Sequence, residues 1–316
     1  MYFTHLPNHA DPAFNEKEHF RKFETHNIVF NADSSKSNCD YHVGCLSIKR
    51  VLSGEEWYGV EKVRIALRPG SLLILNDNQP YSSRIDIEEK TRVQSIFFKK
   101  DFAKAVFQDA LRSPAYLLDY PFEPGDKLPE FFQTLHTGNP ALQKRLSDLI
   151  DALDIQGYSS CLVDEHLTFL LHEMIAIQHA HLGMAKKVNG IKLSTQKEIY
   201  KRLCVTRDIL HSSYKENPDL DYLSRMSCLS VPQLIRQFKR VFGTTPHQYL
   251  CQVKLKYAAE SLRVTEAPVQ EIAWECGFEN ISAFCRDFKA SYRLSPNAFR
   301  KFNHRSKSQG QRKMIL

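Results

Sequence analysis

The sequence lacks the long apolar runs, closely spaced cysteines and charged leader that mark several classes of protein. No stretch of about 18 apolar residues occurs, so no membrane-spanning helix is predicted. Eight cysteines are scattered through 316 residues without a Cys-x-x-Cys pair, which argues against a disulfide framework or a zinc knuckle. Residues 1–5 have no basic start followed by an apolar run, so no signal peptide is predicted. We therefore expect a cytoplasmic protein.

Charge is divided unevenly along the chain. Residues 186–316 contain 24 Lys and Arg against 11 Asp and Glu, a net of +13, whereas the first 185 residues carry a net of −6. A basic C-terminal part favours a polyanion as partner. A merely soluble basic surface is the alternative, and charge alone does not decide between them. The length is sufficient for two domains.

The N-terminal part is predicted to start with β-structure and to continue with helices. Short segments rich in Val, Ile, Leu and Phe, separated by turn clusters, predict strands at 41–48, 62–67, 71–75 and 92–98, which favours a β-sandwich or small barrel. Helices are predicted at 101–110, 128–136, 140–155 and 162–181. A polar linker at 183–190 follows, and Ser194 is a candidate N-cap for the next helix.

The two helices at 140–155 and 162–181 carry apolar stripes at helical spacing, and we expect them to form an antiparallel pair. The stripes are Leu142, Leu146, Leu149, Ile150 and Leu153 on the first helix, and Leu167, Leu170, Leu171, Met174 and Ile177 on the second. Two explanations are open. Both stripes pack on the barrel, or the second helix also meets its twin across a two-fold axis and forms a homodimer.

An internal repeat at an offset of fifty residues is the most informative feature of the chain. The eight positions of the first copy are Ser230, Leu234, Arg236, Phe238, Lys239, Gly243, Pro246 and Tyr249, and they recur as Asn280, Phe284, Arg286, Phe288, Lys289, Arg293, Pro296 and Phe299. Each copy predicts a short helix, a turn and a capped second helix: 220–226, 227–229 and Ser230 in the first, and 269–276, 277–278 and Asn280 in the second. We therefore predict two helix-turn-helix units.

Each second helix has an apolar side and a polar side. Leu234, Phe238, Val241 and Phe242 crowd one side of the first, opposite Pro232, Arg236, Lys239 and Arg240, with Gln233 at the margin. In the second, Phe284 and Phe288 point inward, while Ser282, Arg286 and Lys289 point outward and Ala283 lies at the edge. An Arg can read guanine with two hydrogen bonds, Gln suits adenine, and Lys suits phosphate. The alternative is an ordinary solvated face.

A helix predicted over residues 246–264 joins the two units without an internal Gly or Pro. Its length of about 28 Å at 1.5 Å per residue is close to one turn of B-DNA, about 34 Å. A stiff connection of this length could hold two recognition helices over successive major grooves.

These residues resemble the AraC/XylS family of bacterial transcription regulators over about residues 194–302. The family pattern runs through Lys254-Leu255, Glu271-Ile272-Ala273, Cys276-Gly277-Phe278, Phe284-x-Arg286-x-Phe288-Lys289 and Ser295-Pro296-x-x-Phe299-Arg300. The resemblance implies DNA binding by both units, control of transcription, more often activation, and RNA polymerase as a further partner. It also implies base-reading positions at Pro232, Ile235 and Arg236 in the first unit and Ile281, Ser282, Ala283 and Arg286 in the second. Arg293 departs from the family's usual Gly, so we expect its helix to end without the usual cap, or Arg293 to contact the DNA backbone.

The resemblance also implies a cupin-like sensor barrel in the N-terminal half, and residues 68–81 look like a cupin turn-strand segment. Tyr81 stands where metal-binding cupins commonly have His, and no His-x-His triplet precedes it. We therefore expect no metal or cofactor there and no catalytic residues, but a ligand-sensing or structural barrel. A rival metal site is His166, His172, His179 and His181, which surface or core histidines explain better.

The predicted class is thus α+β with two domains: a cupin-like barrel with a helical pair at 1–182 and an all-α domain of two helix-turn-helix units at 194–302. A linker at 183–193 joins them, and a basic, disordered tail is predicted at 303–316. The predicted function is a sequence-specific DNA-binding activator that responds to a small-molecule effector and is not an enzyme. The alternatives are a metal-dependent cupin enzyme with an appended DNA-binding module and an architectural DNA-binding protein.

Overall fold

The computed structural model describes residues 1–7, 11–12, 14–112, 128–190 and 192–303. The chain divides into two compact units, Met1–Lys201 and Arg202–Leu316. The exact domain boundaries predicted from the sequence stay predictions. Beyond residue 303, the predicted basic tail lies outside the described residues.

The first unit is built on one eight-stranded sheet that bends into a nearly closed barrel. Its strands are β1 Tyr2–Phe3, β2 Ile28–Gly44, β3 Ser47–Ser53, β4 Glu56–Val60, β5 Val63–Leu67, β6 Ser71–Leu75, β7 Gln79–Phe97 and β8 Leu135–Thr137. Neighbouring strands follow the order β1-β2-β7-β3-β6-β8, and β4 pairs with both β5 and β7. The long strands β2 and β7 are antiparallel, and their register shifts at Ser34/Lys36 and Cys39/His42 mark bulges.

Both faces of this sheet are buried. One face forms the barrel interior with residues from seven strands, among them Ala32, Val51, Tyr58, Val93 and Leu135. The opposite face packs against the helices α2 Lys100–Leu111, α3 Pro140–Gln156 and α4 Ser160–Ala185. A further helix, α1 Glu16–Thr25, precedes β2 and is capped by the side chain of Asn15. Both apolar stripes of α3 and α4 are buried in this core, so they pack within the chain itself.

Two sequence predictions for this unit were wrong. The strand predicted at 41–48 is the end of β2 and the start of β3, with Cys45 and Leu46 between them. The helix predicted at 128–136 is absent: the side chain of Asn76 binds both the N–H and the carbonyl of Phe131, at 2.8 and 2.9 Å, and β8 then pairs with β6. Helix α4 continues to Ala185, so the first residues of the predicted linker at 183–190 are helical.

Helices α5 to α10 follow in chain order: α5 Leu193–Ser212, α6 Leu220–Ser227, α7 Val231–Phe242, α8 Pro246–Val264, α9 Val269–Glu275 and α10 Ile281–Tyr292. A short 3-10 turn at Tyr214–Glu216 precedes α6, and residues 296–303 are helical after α10. Because α5 starts at Leu193, Ser194 lies inside its first turn and is not the predicted N-cap. No helix of the described residues combines the length and apolarity needed to cross a membrane.

Candidate nucleic-acid interface

The first helix-turn-helix unit consists of α6 and α7 with a turn at Cys228. The Asp219 carboxylate accepts a hydrogen bond from the N–H of Tyr222 at 2.6 Å and so caps α6. Cys228 has a left-handed backbone with φ of 51°, and its carbonyl accepts a hydrogen bond from Arg202 at 3.0 Å. Ser230 occupies the N-cap position of α7 as predicted, although its side chain makes no capping hydrogen bond.

Helix α7 presents the predicted polar face. Leu234, Phe238 and Val241 are buried, and Pro232, Arg236, Lys239 and Arg240 are exposed. Gln233 and Ile235 are half-buried at the margin. The helix ends at Gly243, whose φ is 80° and whose N–H donates to the Lys239 carbonyl at 2.9 Å, which is a left-handed cap.

The second unit consists of α9 and α10. Its turn contains Gly277, whose φ is 77°, and a Cβ there would lie 2.8 Å from the carbonyl oxygen of Lys215, so only glycine fits. Asn280 caps α10 by accepting a hydrogen bond from the N–H of Ala283 at 3.0 Å, as predicted. Phe284 and Phe288 are fully buried, with ring centroids 5.5 Å apart.

Helix α10 exposes Ser282, Arg286 and Lys289, while Ile281 and Ala283 are half-buried. Thus every one of the eleven candidate DNA contacts on α7 and α10 reaches the surface at least in part. Their role in binding DNA stays a prediction.

The expectation that α10 would end without the usual cap was wrong. Arg293 takes the left-handed conformation itself, with φ of 61° and ψ of 3°, and its N–H donates to the Lys289 carbonyl at 2.9 Å. The same hydrogen bond is made at Gly243 in the first unit. The cap therefore forms despite the Cβ, at a conformational cost of about 1–2 kcal/mol.

Helix α8 joins the two units and has the predicted bounds. It begins with a capping box in which Thr245 and Gln248 satisfy each other's backbone N–H groups. Near its middle, Lys254 is only 6% exposed and donates from Nζ to the carbonyl of Gly277, at 2.6 Å, and to the side chain of Asn217. The ammonium also lies 5.3 Å from the centroid of the Phe278 ring.

Lys254 therefore ties the segment before α6 to the turn of the second unit. Asn217 precedes the first helix-turn-helix unit, and Gly277 lies within the second. The contacts therefore restrict motion of one helix-turn-helix unit against the other. The sequence pattern includes Lys254 but does not indicate this role, because a lysine on a joining helix normally faces solvent.

Charge at the second recognition helix is partly neutralised within the helix. Arg286 Nε lies 3.2 Å from a carboxylate oxygen of Asp287, and the two side chains are 75% and 37% exposed. No equivalent acid follows Arg236, where Gln237 is buried. The first recognition helix thus presents more net positive charge than the second.

The rival histidine site does not assemble. His172 and His179 are exposed, and His181 instead forms hydrogen-bond contacts with His136 at 3.0 Å and Tyr200 at 2.6 Å. Within the described residues, no group of three or more His, Cys, Asp and Glu side chains is arranged to hold a metal ion.

Comparison with known proteins agrees with this geometry. A family model described as a helix-turn-helix domain matches residues 223–301, which include α7 to α10. An uncharacterized HTH-type transcriptional regulator of Haemophilus influenzae is 28% identical over 273 residues, 78% of this chain and 83% of that protein. The chain thus carries a helix-turn-helix domain similar to those of AraC-type transcription regulators. It is a DNA-binding regulator of transcription.

Other relatives match the chain over shorter stretches. The HTH-type transcriptional activator RhaS of Escherichia coli is 33% identical over 91 residues, which are 29% of this chain and 33% of RhaS. Among solved structures, ToxT of Vibrio cholerae covers 87% of the regulator at 14% identity and a TM-score of 0.33, with 98% of ToxT covered. A probable AraC family regulator of Rhodopseudomonas palustris covers 31% at 21% identity and a TM-score of 0.30, with 93% of that chain covered.

Proposed function

We propose that this regulator binds promoter DNA sequence-specifically with both helix-turn-helix units at once. The observation that carries the proposal is the contact of Lys254 with Asn217 and Gly277, which joins the two units through α8. Helix α8 has 19 residues and so spans about 28 Å, close to the distance between successive major grooves.

Each recognition helix supplies both kinds of DNA contact in this proposal. Arg236 and Arg286 are exposed and would read base edges, together with Pro232, Ile235, Ile281, Ser282 and Ala283. Lys239 and Lys289 lie three residues further along their helices and would bind phosphates. Gln233 and Arg240 are proposed as further DNA contacts on α7.

Footprinting of the full chain on genomic DNA tests this function. We expect enriched sites with two protected patches about one helical turn apart for each protomer. Protection of one patch alone contradicts engagement of both units. Uniform protection without sequence preference would instead favour an architectural DNA-binding protein.

We further propose that the regulator activates transcription with RNA polymerase and that an effector bound in the barrel controls it. The match to RhaS, which is named a transcriptional activator, supports activation. The barrel of the N-terminal unit, Met1–Lys201, supports a sensor. Transcription in vitro from a footprinted promoter, with and without the regulator, tests the direction of control. Fewer transcripts in its presence would identify a repressor.

A homodimer and the absence of enzymatic activity are also proposals. The stripes of α3 and α4 are buried within the chain, so a dimer must use other apolar side chains such as Phe169 and Ile155, which are 43% and 83% exposed. Light scattering of the full chain at micromolar concentration tests the dimer, and a clean monomer removes it. A stoichiometric transition metal in the purified protein would favour the cupin enzyme instead.

A further inference from the structure

A lysine is buried inside the barrel of the N-terminal unit, Met1–Lys201. Lys49, on β3, is 3% exposed and pairs with Ser95 of β7 and Leu73 of β6. Side chains alternate along a strand, so Lys49 shares the inner face with Val51, whereas Arg50 reaches outward to Ser147 of α3. Among the described residues, the Lys49 ammonium has no hydrogen-bond or ion-pair partner.

Aromatic rings surround this ammonium without replacing a partner. Nζ lies 3.5 Å from the centroid of the Phe97 ring and 5.4 Å from that of Tyr81. A cation over a ring gains about 2 kcal/mol when desolvated, which is less than the several kcal/mol that burial of an unpaired charge costs. Burial accordingly lowers the pKa of Lys49 to about 8, although the Glu56 carboxylate opposes the change.

The ammonium borders a cavity. Its volume is about 70 Å³. Strands supply Lys49, Glu56, Tyr58, Tyr81 and Phe97 to its wall. On one side α1 covers it with Phe20 and Phe23, and the rings of Phe23 and Phe97 meet edge to face with centroids 4.6 Å apart.

Glu56, the buried acid of the same cavity, already has partners. Burial raises the pKa of its carboxyl, and hydrogen bonds with Tyr58 and Ser83, together with the charge of Lys49, oppose that shift. These hydrogen bonds satisfy the acid and leave the Lys49 ammonium as the group that needs a ligand.

We propose that this cavity binds a small organic monocarboxylate, with the carboxylate on Nζ of Lys49 and the apolar body against the phenylalanine rings. The ligand's charge follows from the unpaired ammonium, since a charged hydrogen bond is the interaction that compensates burial. Its short apolar body follows from the aromatic wall and the small volume. The inference rests on the proposed function only in making this ligand the effector of the regulator.

Other titratable groups near Lys49 influence the pH at which Lys49 binds the carboxylate. Glu56 faces it from β4, Cys39 lies on β2 and Cys45 lies just before β3. Burial raises the pKa of the Cys45 thiol to about 11. Burial also holds the pKa of the Tyr58 and Tyr81 phenols well above the usual value, and His19 and His42 complete the titratable groups of the wall.

Calorimetric titration of the full chain without DNA tests the proposal, with butyrate as the probe and butyramide as its neutral counterpart. We expect butyrate to bind about tenfold or more tightly than butyramide, because the amide cannot pair with the ammonium. Near pH 8 the binding of butyrate should also be accompanied by uptake of a fraction of a proton, because the bound anion favours the charged form of Lys49. Titrations in buffers of different ionisation enthalpy measure this uptake.

Lys49→Met should reduce butyrate affinity about tenfold or more, whereas Lys62→Met, at an exposed position in the same unit, should leave it unchanged. Equal binding of butyrate and butyramide to the unaltered chain overturns the inference without any variant. Undetectable butyrate binding at millimolar concentration also overturns it. Because no DNA is present, these outcomes are independent of whether the footprints support the proposed function.

Discussion

The ammonium of Lys254 donates a hydrogen bond to the main-chain carbonyl of Gly277 at 2.6 Å, and this contact joins the linking helix to the turn of the second helix-turn-helix unit. The same nitrogen binds the Asn217 side chain. Two recognition helices on a stiff frame lose less freedom on binding DNA than two on a flexible one, so the contact favours simultaneous engagement.

Lys254→Met should lower both stability and affinity for DNA. The Gly277 carbonyl and the Asn217 side chain would lose a charged donor, so we expect the free energy of unfolding to fall by about 2 kcal/mol. Thermal denaturation and titration of a footprinted site measure the two effects. Lys256→Met, at an exposed position on the same helix, removes an equal charge and is the control. Equal behaviour of the two variants would refute the bridging role.

The arginines and lysines of the recognition helices should differ in their effect on specificity. Arg236→Ala and Arg286→Ala should each weaken binding by about 1–3 kcal/mol and relax base preference at one position. Lys239→Ala should weaken binding to all sequences and reduce the salt dependence by about one ion. Titrations against site variants at several salt concentrations separate the effects. Unchanged promoter binding by Arg286→Ala would mean that the second unit only grips the backbone.

Asp287→Asn should strengthen DNA binding. The carboxylate pairs with Arg286 and lies on the second recognition helix, so its removal frees the guanidinium and reduces repulsion of phosphates. Because the pair is exposed, we expect a gain of only about two- to fivefold. Glu260→Gln makes the same charge change on α8, at an exposed position, and should have a smaller effect. Weaker binding by Asp287→Asn would show that the carboxylate orients Arg286 productively.

Arg293→Gly should stabilise the second helix-turn-helix unit. Its left-handed backbone, with φ of 61°, costs an L-residue energy that glycine does not incur. After allowance for the greater freedom of glycine in the unfolded chain, we expect a gain of about 0.5–1 kcal/mol. Chemical denaturation measures it. Gly243→Ala, at the equivalent cap, should destabilise by about 1 kcal/mol through backbone strain alone, because nothing lies within 4 Å of the added Cβ.

Lys49 should make stability depend on pH in a defined direction. Its pKa is lowered by burial to about 8 from 10.5, so between these values the unfolded chain binds more protons than the folded one. The contribution of Lys49 to stability therefore rises with pH across that window. We expect the free energy of unfolding of the unaltered chain to increase relative to that of Lys49→Met from pH 7.5 to 9.5. Parallel pH profiles would contradict this assignment.

The helix-turn-helix units could be predicted from the sequence because their signals are local. The apolar faces of α7 and α10, the Asn280 cap and the uninterrupted α8 all depend on residues a few positions apart. Likewise, the sequence pattern predicts a turn at Gly277, and the tertiary structure adds its close approach to Lys215. Local patterns failed at Arg293, where packing of the rest of the unit imposes a conformation that its residue type disfavours.

The barrel interior was decided only by the tertiary structure. Both faces of the sheet are covered, so in β6 all five residues are buried and no alternation shows which of them face the interior. In β3 the neighbours Lys49 and Arg50 resemble a polar surface pair, yet one enters the cavity and the other reaches α3. The sequence alone determined a basic, repeated DNA-binding part. Where a side chain lies inside a closed sheet depends on strands distant in the chain, and so on the fold as a whole.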